Sequence, residues 1–218
     1  MRLIKYTKKK MQYVVLCTLL LVPSSLFSQT TILMLGDSLT QGFGLSQHDG
    51  LVPQLSAWMS RNTDETIYII NGGVSGDTSA GGLSRLEWYL AEDIDIMIVA
   101  LGANDFLRGI DPGELRKNLD QILKIGFARG LKLMLVGFAA QNNFGQLYKT
   151  EFNQIFPTLA KKYETKLVAN LMHPILERLQ AGERPRLYLQ SDMLHPNTKG
   201  VALIVEHLGS ELIQMIQE

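Results

Sequence analysis

Four short stretches of this sequence carry side chains with chemistry beyond packing: Gly36-Asp37-Ser38-Leu39, Ser75-Gly76-Asp77, Gly102-Ala103-Asn104-Asp105 and Asp192-Met193-Leu194-His195-Pro196. A serine hydroxyl becomes a nucleophile when a base removes its proton, and an imidazole is that base when a carboxylate fixes its tautomer. The spacing of Asp192 and His195 lets the carboxylate reach the ring from within one turn. Pro196 restricts the backbone of His195 and is placed to begin a helix. A glycine N–H and an asparagine amide are donors of the kind that stabilise an oxyanion. Together these are the components of an acyl-transfer site. Each also has an ordinary reading: Gly-Asp-Ser as a turn, Gly76 as a residue needing a positive φ, Asn104-Asp105 as turn composition. Their joint occurrence is what points to chemistry. His48, His173 and His207 lack the upstream acid and following proline.

The elements that must position these residues can be read from hydrophobic periodicity. Apolar runs at Thr31–Leu35, Thr66–Ile70, Ile94–Leu101 and Leu131–Phe138 read as strands, with a weaker fifth at Lys166–Ala169. Helical patterns lie between them: Gly50–Ser60, a helix carrying Leu83, Leu86 and Leu90, one started by Asp111-Pro112, and one running to Tyr163 that Pro157 should kink or split. Pro196–Gln217 closes the chain as an amphipathic helix. Strands that are almost wholly apolar, alternating with helices, predict an α/β fold: a three-layer α/β/α sandwich on a five-stranded parallel sheet. In such sheets ligands bind beyond the carboxyl ends of the strands, where the first three stretches fall.

At 218 residues the chain is long enough for one domain with a full core. Hydrophobic content of 46% with 19% charged residues excludes disorder, collagen and coiled coil. Lys+Arg and Asp+Glu both number 21, so no overall basic field points to nucleic acid. A single cysteine, Cys17, rules out a disulfide framework and a cysteine zinc site. Five basic residues in the first ten, the apolar run Met11–Val22 and the small residues to Ser28 read as a secretory signal over 1–28. The run is short for a membrane span, although an uncleaved anchor is the other reading. Cleavage near Ser28–Gln29 would leave 16 basic against 21 acidic residues, an exported acidic domain over 29–218 without cysteine.

Gly36-Asp-Ser-Leu39, Gly76, Asn104 and Asp192-x-x-His195 resemble the four blocks of the SGNH (GDSL) hydrolases. The branch most resembled is the bacterial thioesterase I, lysophospholipase L1 and arylesterase group, through Ser75-Gly-Asp-Thr-Ser79, Leu107-Arg-Gly109 and Asn142-Asn-Phe-Gly145. The resemblance runs from about Ile32 to Ala202 and implies the flavodoxin-like fold of that family. It implies Ser38 as nucleophile, His195 as base and Asp192 as its orienter, with the Ser38 and Gly76 N–H groups and the Asn104 side chain as oxyanion donors. It further implies a monomeric, metal- and cofactor-independent hydrolase of a small ester, thioester or lysolipid. Ala103 and Phe106 stand where relatives often carry glycine, with Phe106 adding bulk beside the Asn104 loop, and Ala181–Gln190 has no obvious counterpart.

Other readings remain open at this point. A carbohydrate O-acetyl esterase would use the same residues. A non-catalytic flavodoxin-like nucleotide-binding module could cradle phosphate on Thr78-Ser79-Ala80-Gly81. Gly42-x-Gly44 lacks the third glycine of a dinucleotide fingerprint, and no P-loop lysine motif or G-x-S-x-G elbow occurs. A surface-binding domain would not require Asp192 and His195 together.

Overall fold

Alternation along the first strand decides the layering: Ile32 and Met34 face one side and Leu33 and Leu35 the other, and none of the four is reached by solvent. A strand apolar on both faces needs helices on both. The structure, a computed structural model, describes residues 29–217; the expected leader and Cys17 lie outside the described residues. In chain order the elements are β1 (Thr30–Gly36), α1 (Ser38–Gln41), α2 (Leu51–Asn62), β2 (Ile67–Gly73), α3 (Ser79–Tyr89), β3 (Ile96–Ala100), α4 (Ala103–Leu107), α5 (Pro112–Ala128), β4 (Lys132–Val136), α6 (Gln146–Lys162), β5 (Lys166–Val168), α7 (His173–Gln180) and α8 (Thr198–Gln217). The five strands are all parallel, in the order β2-β1-β3-β4-β5. This is the expected three-layer α/β/α sandwich.

One core, on the Ile32 and Met34 side, takes Leu55 and Met59 of α2, Ile175 of α7 and Leu208 and Leu212 of α8. The other takes Leu86 of α3, Leu119 of α5 and Phe152 and Phe156 of α6 against Leu33 and Leu35. Strand order turns back at β1, whose neighbours are β2 on one side and β3 on the other. That reversal opens a crevice above Gly36, which is in register with Gly73 and Ala100.

Several elements differ from the periodic reading. Pro157 does not split α6, which runs unbroken through it for 17 residues. The proline removes one backbone bond, while Phe152, Ile155, Phe156 and Leu159 bury the helix face on either side of it. α8 begins at Thr198, not at Pro196, which instead bridges to Leu189. α1, α4 and α7 are additional helices of 4, 5 and 8 residues, shorter than the windows over which a helical period accumulates. α7 is also the element that follows β5 and brings the chain back toward the crevice.

Candidate active site

The turn from β1 into α1 sets the first residue. Asp37 caps α1, its carboxylate accepting the Leu39 N–H at 3.0 Å, and Ser38 is the first helical residue, at the carboxyl edge of the sheet. Ser38 Oγ lies 2.8 Å from His195 Nε2. His195 Nδ1 lies 2.7 Å from Asp192 Oδ2. Asp192 Oδ1 accepts the backbone N–H groups of Leu194 at 2.9 Å and His195 at 3.0 Å. These bonds and the imidazole hold the Asp192 carboxyl down at about 2, so it is an anion at any ordinary pH. The turn between them puts Met193 in the left-handed region, φ 60°, a conformation that disfavours side chains.

The imidazole is fixed from outside the relay as well. The Phe43 ring sits 4.7 Å from it, centroid to centroid. Gln190 ties the two segments together: its side-chain amide donates to Phe43 O at 2.8 Å and to Pro196 O at 2.9 Å, and its own N–H donates to His195 O at 2.8 Å. Gln190 ends the stretch that had no obvious counterpart, so that stretch has a defined task here.

Ser38, Gly76 and Asn104 all line one cavity of about 210 Å³, walled by Phe43, Leu107, Phe138, Met172 and Leu194. Gly76 has φ 82°, so the positive-φ requirement is real, and its carbonyl accepts from Arg108 at 2.5 Å. Among the described residues, neither the Ser38 N–H nor the Gly76 N–H donates to a protein acceptor. Asn104 stands in the first turn of α4, after Gly102 at φ 118°, and one of its amide hydrogens goes to Asp37 Oδ2 at 3.3 Å. Burial pushes the Asp37 carboxyl up to about 6, against the opposing pull of the Leu39 N–H and of His195.

Phe106 does not narrow this cavity. α4 turns Ala103 and Leu107 toward it, one helical turn apart, and sends Phe106 down among Phe138, Phe152 and Tyr148. The phosphate-cradle reading of Thr78–Gly81 also fails. The Ser79 N–H donates to Asp105 at 2.8 Å and the Gly81 N–H to Thr78 Oγ1 at 3.4 Å, so two of the would-be anion donors are occupied and a buried carboxylate already fills the place of an anion. Ser75 Oγ is bonded to Gln41 Oε1 rather than to any base.

Two buried polar groups that hold the site were given no role in it from sequence. Arg85, 7% exposed, donates to Asp77 Oδ2 at 2.6 Å and to the Gly36 carbonyl at 2.8 Å, joining the Gly76 loop to the end of β1. Asp105, 1% exposed, is no turn former: it accepts the Ser79 hydroxyl at 2.5 Å and anchors α4 to α3. A signal for Arg85 exists. It shares the helical face of Gly82 and Leu86, and a charge on a face that must be buried requires a partner.

What the arrangement can do is deprotonate a serine beside unused N–H donors in an apolar cleft. The comparisons agree with that chemistry. The chain matches the GDSL-like Lipase/Acylhydrolase family over residues 34–203. It is 31% identical over 199 residues to the Esterase TesA of Pseudomonas aeruginosa, covering 90% of this chain and 94% of that one. It is 30% identical over 188 residues to Thioesterase 1/protease 1/lysophospholipase L1 of Escherichia coli K12, covering 85% of each. Among solved structures, the esterase EstA from Pseudoalteromonas sp. superposes with a TM-score of 0.76 at 30% identity, over 87% of this chain and 100% of that one.

Proposed function

The chain belongs to the GDSL-like lipase/acylhydrolase family, and from that premise we propose that this SGNH esterase/thioesterase works through an acyl-enzyme on Ser38. The observation that carries the reading is the unbroken hydrogen-bond line from Ser38 Oγ through His195 to Asp192, at 2.8 and 2.7 Å. His195 Nε2 takes the Ser38 proton as Oγ attacks the carbonyl carbon. The oxyanion accepts from the Ser38 N–H, the Gly76 N–H and the free amide hydrogen of Asn104. The intermediate collapses, His195 hands its proton to the departing alcohol or thiol, and a water deprotonated by His195 releases the acid and restores Ser38. The apolar walls Leu107, Phe138 and Met172 receive the acyl group. The Pseudoalteromonas relative is inhibited by monoethylphosphonate, which suits an attack by an oxygen nucleophile.

A fluorophosphonate probe is expected to label Ser38. Ser38→Ala abolishes labelling and lowers turnover of p-nitrophenyl esters by about 10⁴ or more. Labelling that persists in Ser38→Ala, or maps to Ser75, removes Ser38 from the mechanism. EDTA leaves the rate unchanged. A chain-length series of p-nitrophenyl esters, run beside acetylated xylan and a lysophospholipid, separates acyl-chain hydrolase from carbohydrate O-acetyl esterase.

The same reading includes export of a monomer: residues 1–28 act as a signal and the mature chain starts near Gln29. Support comes from the basic, apolar and small-residue order of that segment. Among the described residues no helix is long and apolar enough to cross a membrane. N-terminal sequencing of exported protein that finds Met1 overturns the cleavage.

A further inference from the structure

Among the described residues, the carboxyl end of the sheet carries most of the large apolar side chains left in water. Among the described residues eleven large apolar side chains are exposed, and seven of them stand there: Phe43, Val74, Leu107, Phe144, Leu147, Met193 and Leu194. Phe43, Leu107 and Leu194 line the cavity itself. Val74 and Met193 adjoin the lining residues Ser75 and Leu194. Phe144 leans on Phe106 at 5.8 Å and on Tyr148 at 5.1 Å, and a side chain at Gly109 would meet its ring. Leu147 follows one turn on and is 73% exposed. An exposed apolar ring around a cavity mouth is a surface that needs explaining.

Charge is distributed to match. The segments that line or flank the cavity, 36–48, 71–78, 101–110, 137–147, 169–173 and 188–197, contain no lysine and no glutamate, while Asp49, Asp111, Lys149 and Lys199 stand just outside them. Asp37 and Asp105 are buried, Asp77 is paired with Arg85, Asp192 with His195, and Arg108 donates to Gly76 O. Only His48 stands apart from such a partner or burial. The opposite end of the sheet is crowded with charge, including Asp64, Glu65, Glu92, Asp93, Arg129, Glu164 and Lys166.

Resting on the esterase reading above, we infer that this face docks on a zwitterionic phospholipid surface, micellar or bilayer, with the cavity mouth against the lipid. The apolar side chains sink to the boundary between headgroups and acyl chains. The cavity wall is continuous with that ring, so an ester lipid enters acyl chain first without crossing water. A protein seated on the ring would close the entrance to the cavity, whereas a lipid surface supplies the substrate. With no cluster of free cations, attachment rests on apolar burial and not on anionic headgroups.

The test compares wild type with Phe144→Ser/Leu147→Ser, two residues outside the cavity lining. Both full chains are exported and purified identically, so any effect of residues 1–28 is common to them. Wild type is expected to co-sediment with phosphatidylcholine vesicles, undiminished in about 1 M salt, where the Debye length is about 3 Å. Its rate on lysophosphatidylcholine should rise as that substrate passes its critical micelle concentration. The double variant should lose roughly tenfold in both, while turning over a monomeric short-chain p-nitrophenyl ester at the wild-type rate. Leu147→Glu alone, at a highly exposed position, serves if the double variant folds poorly. The inference is overturned by wild type that stays in the supernatant, by binding confined to anionic vesicles and lost in salt, by variants that bind like wild type, or by a wild-type dimer that the variants dissolve. Failure to hydrolyse the monomeric ester would instead strike the esterase reading, since that assay involves no lipid.

Discussion

The side-chain amide of Asn104 and the carboxylate of Asp37 meet across the gap between β3 and β1, 3.3 Å apart, in the shadow of Ser38. Asp37 thereby fixes which way the Asn104 amide faces, leaving its second hydrogen for the cavity. The same carboxylate caps the helix that begins with Ser38. One buried acid thus sets the backbone of Ser38, the proposed nucleophile, and the amide of Asn104, a proposed oxyanion donor, together.

Asn104→Ala should fold like wild type and lose about 10²–10³ in kcat, roughly 2.7–4 kcal/mol, with KM nearly unchanged, because its donor strengthens only as charge develops. Steady-state kinetics beside a thermal melt decide it. Near-normal kcat in a well-folded variant would leave the oxyanion to the Ser38 and Gly76 N–H groups.

Asp37 predicts a pH-dependent stability. Its folded pKa, about 6, lies above the ordinary 3.8, so the fold holds the proton more tightly than the unfolded chain does. Its contribution therefore falls as pH rises from about 4 to about 6, by up to about 3 kcal/mol. Asp37→Asn removes that fall and should be the more stable protein at pH 8 but not at pH 4, while kcat drops because Asn104 loses its acceptor. Urea titrations at the two pH values check this; parallel losses in both proteins would refute it.

Arg85→Met strands the Asp77 carboxylate and the Gly36 carbonyl. A loss of about 3–5 kcal/mol is expected, with a fall in Tm of roughly 10 °C. Arg85→Met/Asp77→Asn should be less destabilised than the sum of the two single changes, since no charge is then left without its partner. Strict additivity in a double-mutant cycle would mean the pair does not act together.

Gln190→Leu keeps the volume and deletes the two bonds to Phe43 O and Pro196 O. The His195 loop then loosens against Phe43, and kcat and the rate of fluorophosphonate labelling should fall together by about tenfold. An unchanged labelling rate would assign Gln190 to stability alone. Because Asp192 stays ionised to about pH 2, the acid limb of the pH–rate profile belongs to other groups; Asp37, which burial pushes up to about 6, should contribute to it, so the limb should change shape in Asp37→Asn.

Much of this site is legible without coordinates because its signals are local. The Asp192–His195 contact lies within one turn, and Ser38 and Asn104 each follow an apolar strand directly. Asp37 reads as a turn residue, yet its buried environment depends on β3 and α4 arriving beside it. Phe106 reads as bulk beside the Asn104 loop, and only the helical phase of α4 turns it into the core. Gln190 is bonded locally to His195 and Pro196, but its tie to Phe43, 147 residues away, leaves no signal in the sequence.

The sequence by itself determined the alternation of strands and helices, the sheet-edge position of the first three motifs and the chemistry they could share, since period and motif are properties of neighbouring residues. Tertiary structure decided the meeting of Ser38 with His195, 157 residues apart. It also decided the Asp37–Asn104 and Asp77–Arg85 contacts and the apolar ring around the cavity. These follow from strand order and helix phase, which are settled only when distant apolar faces are buried against one another and the polar groups caught between them must find partners.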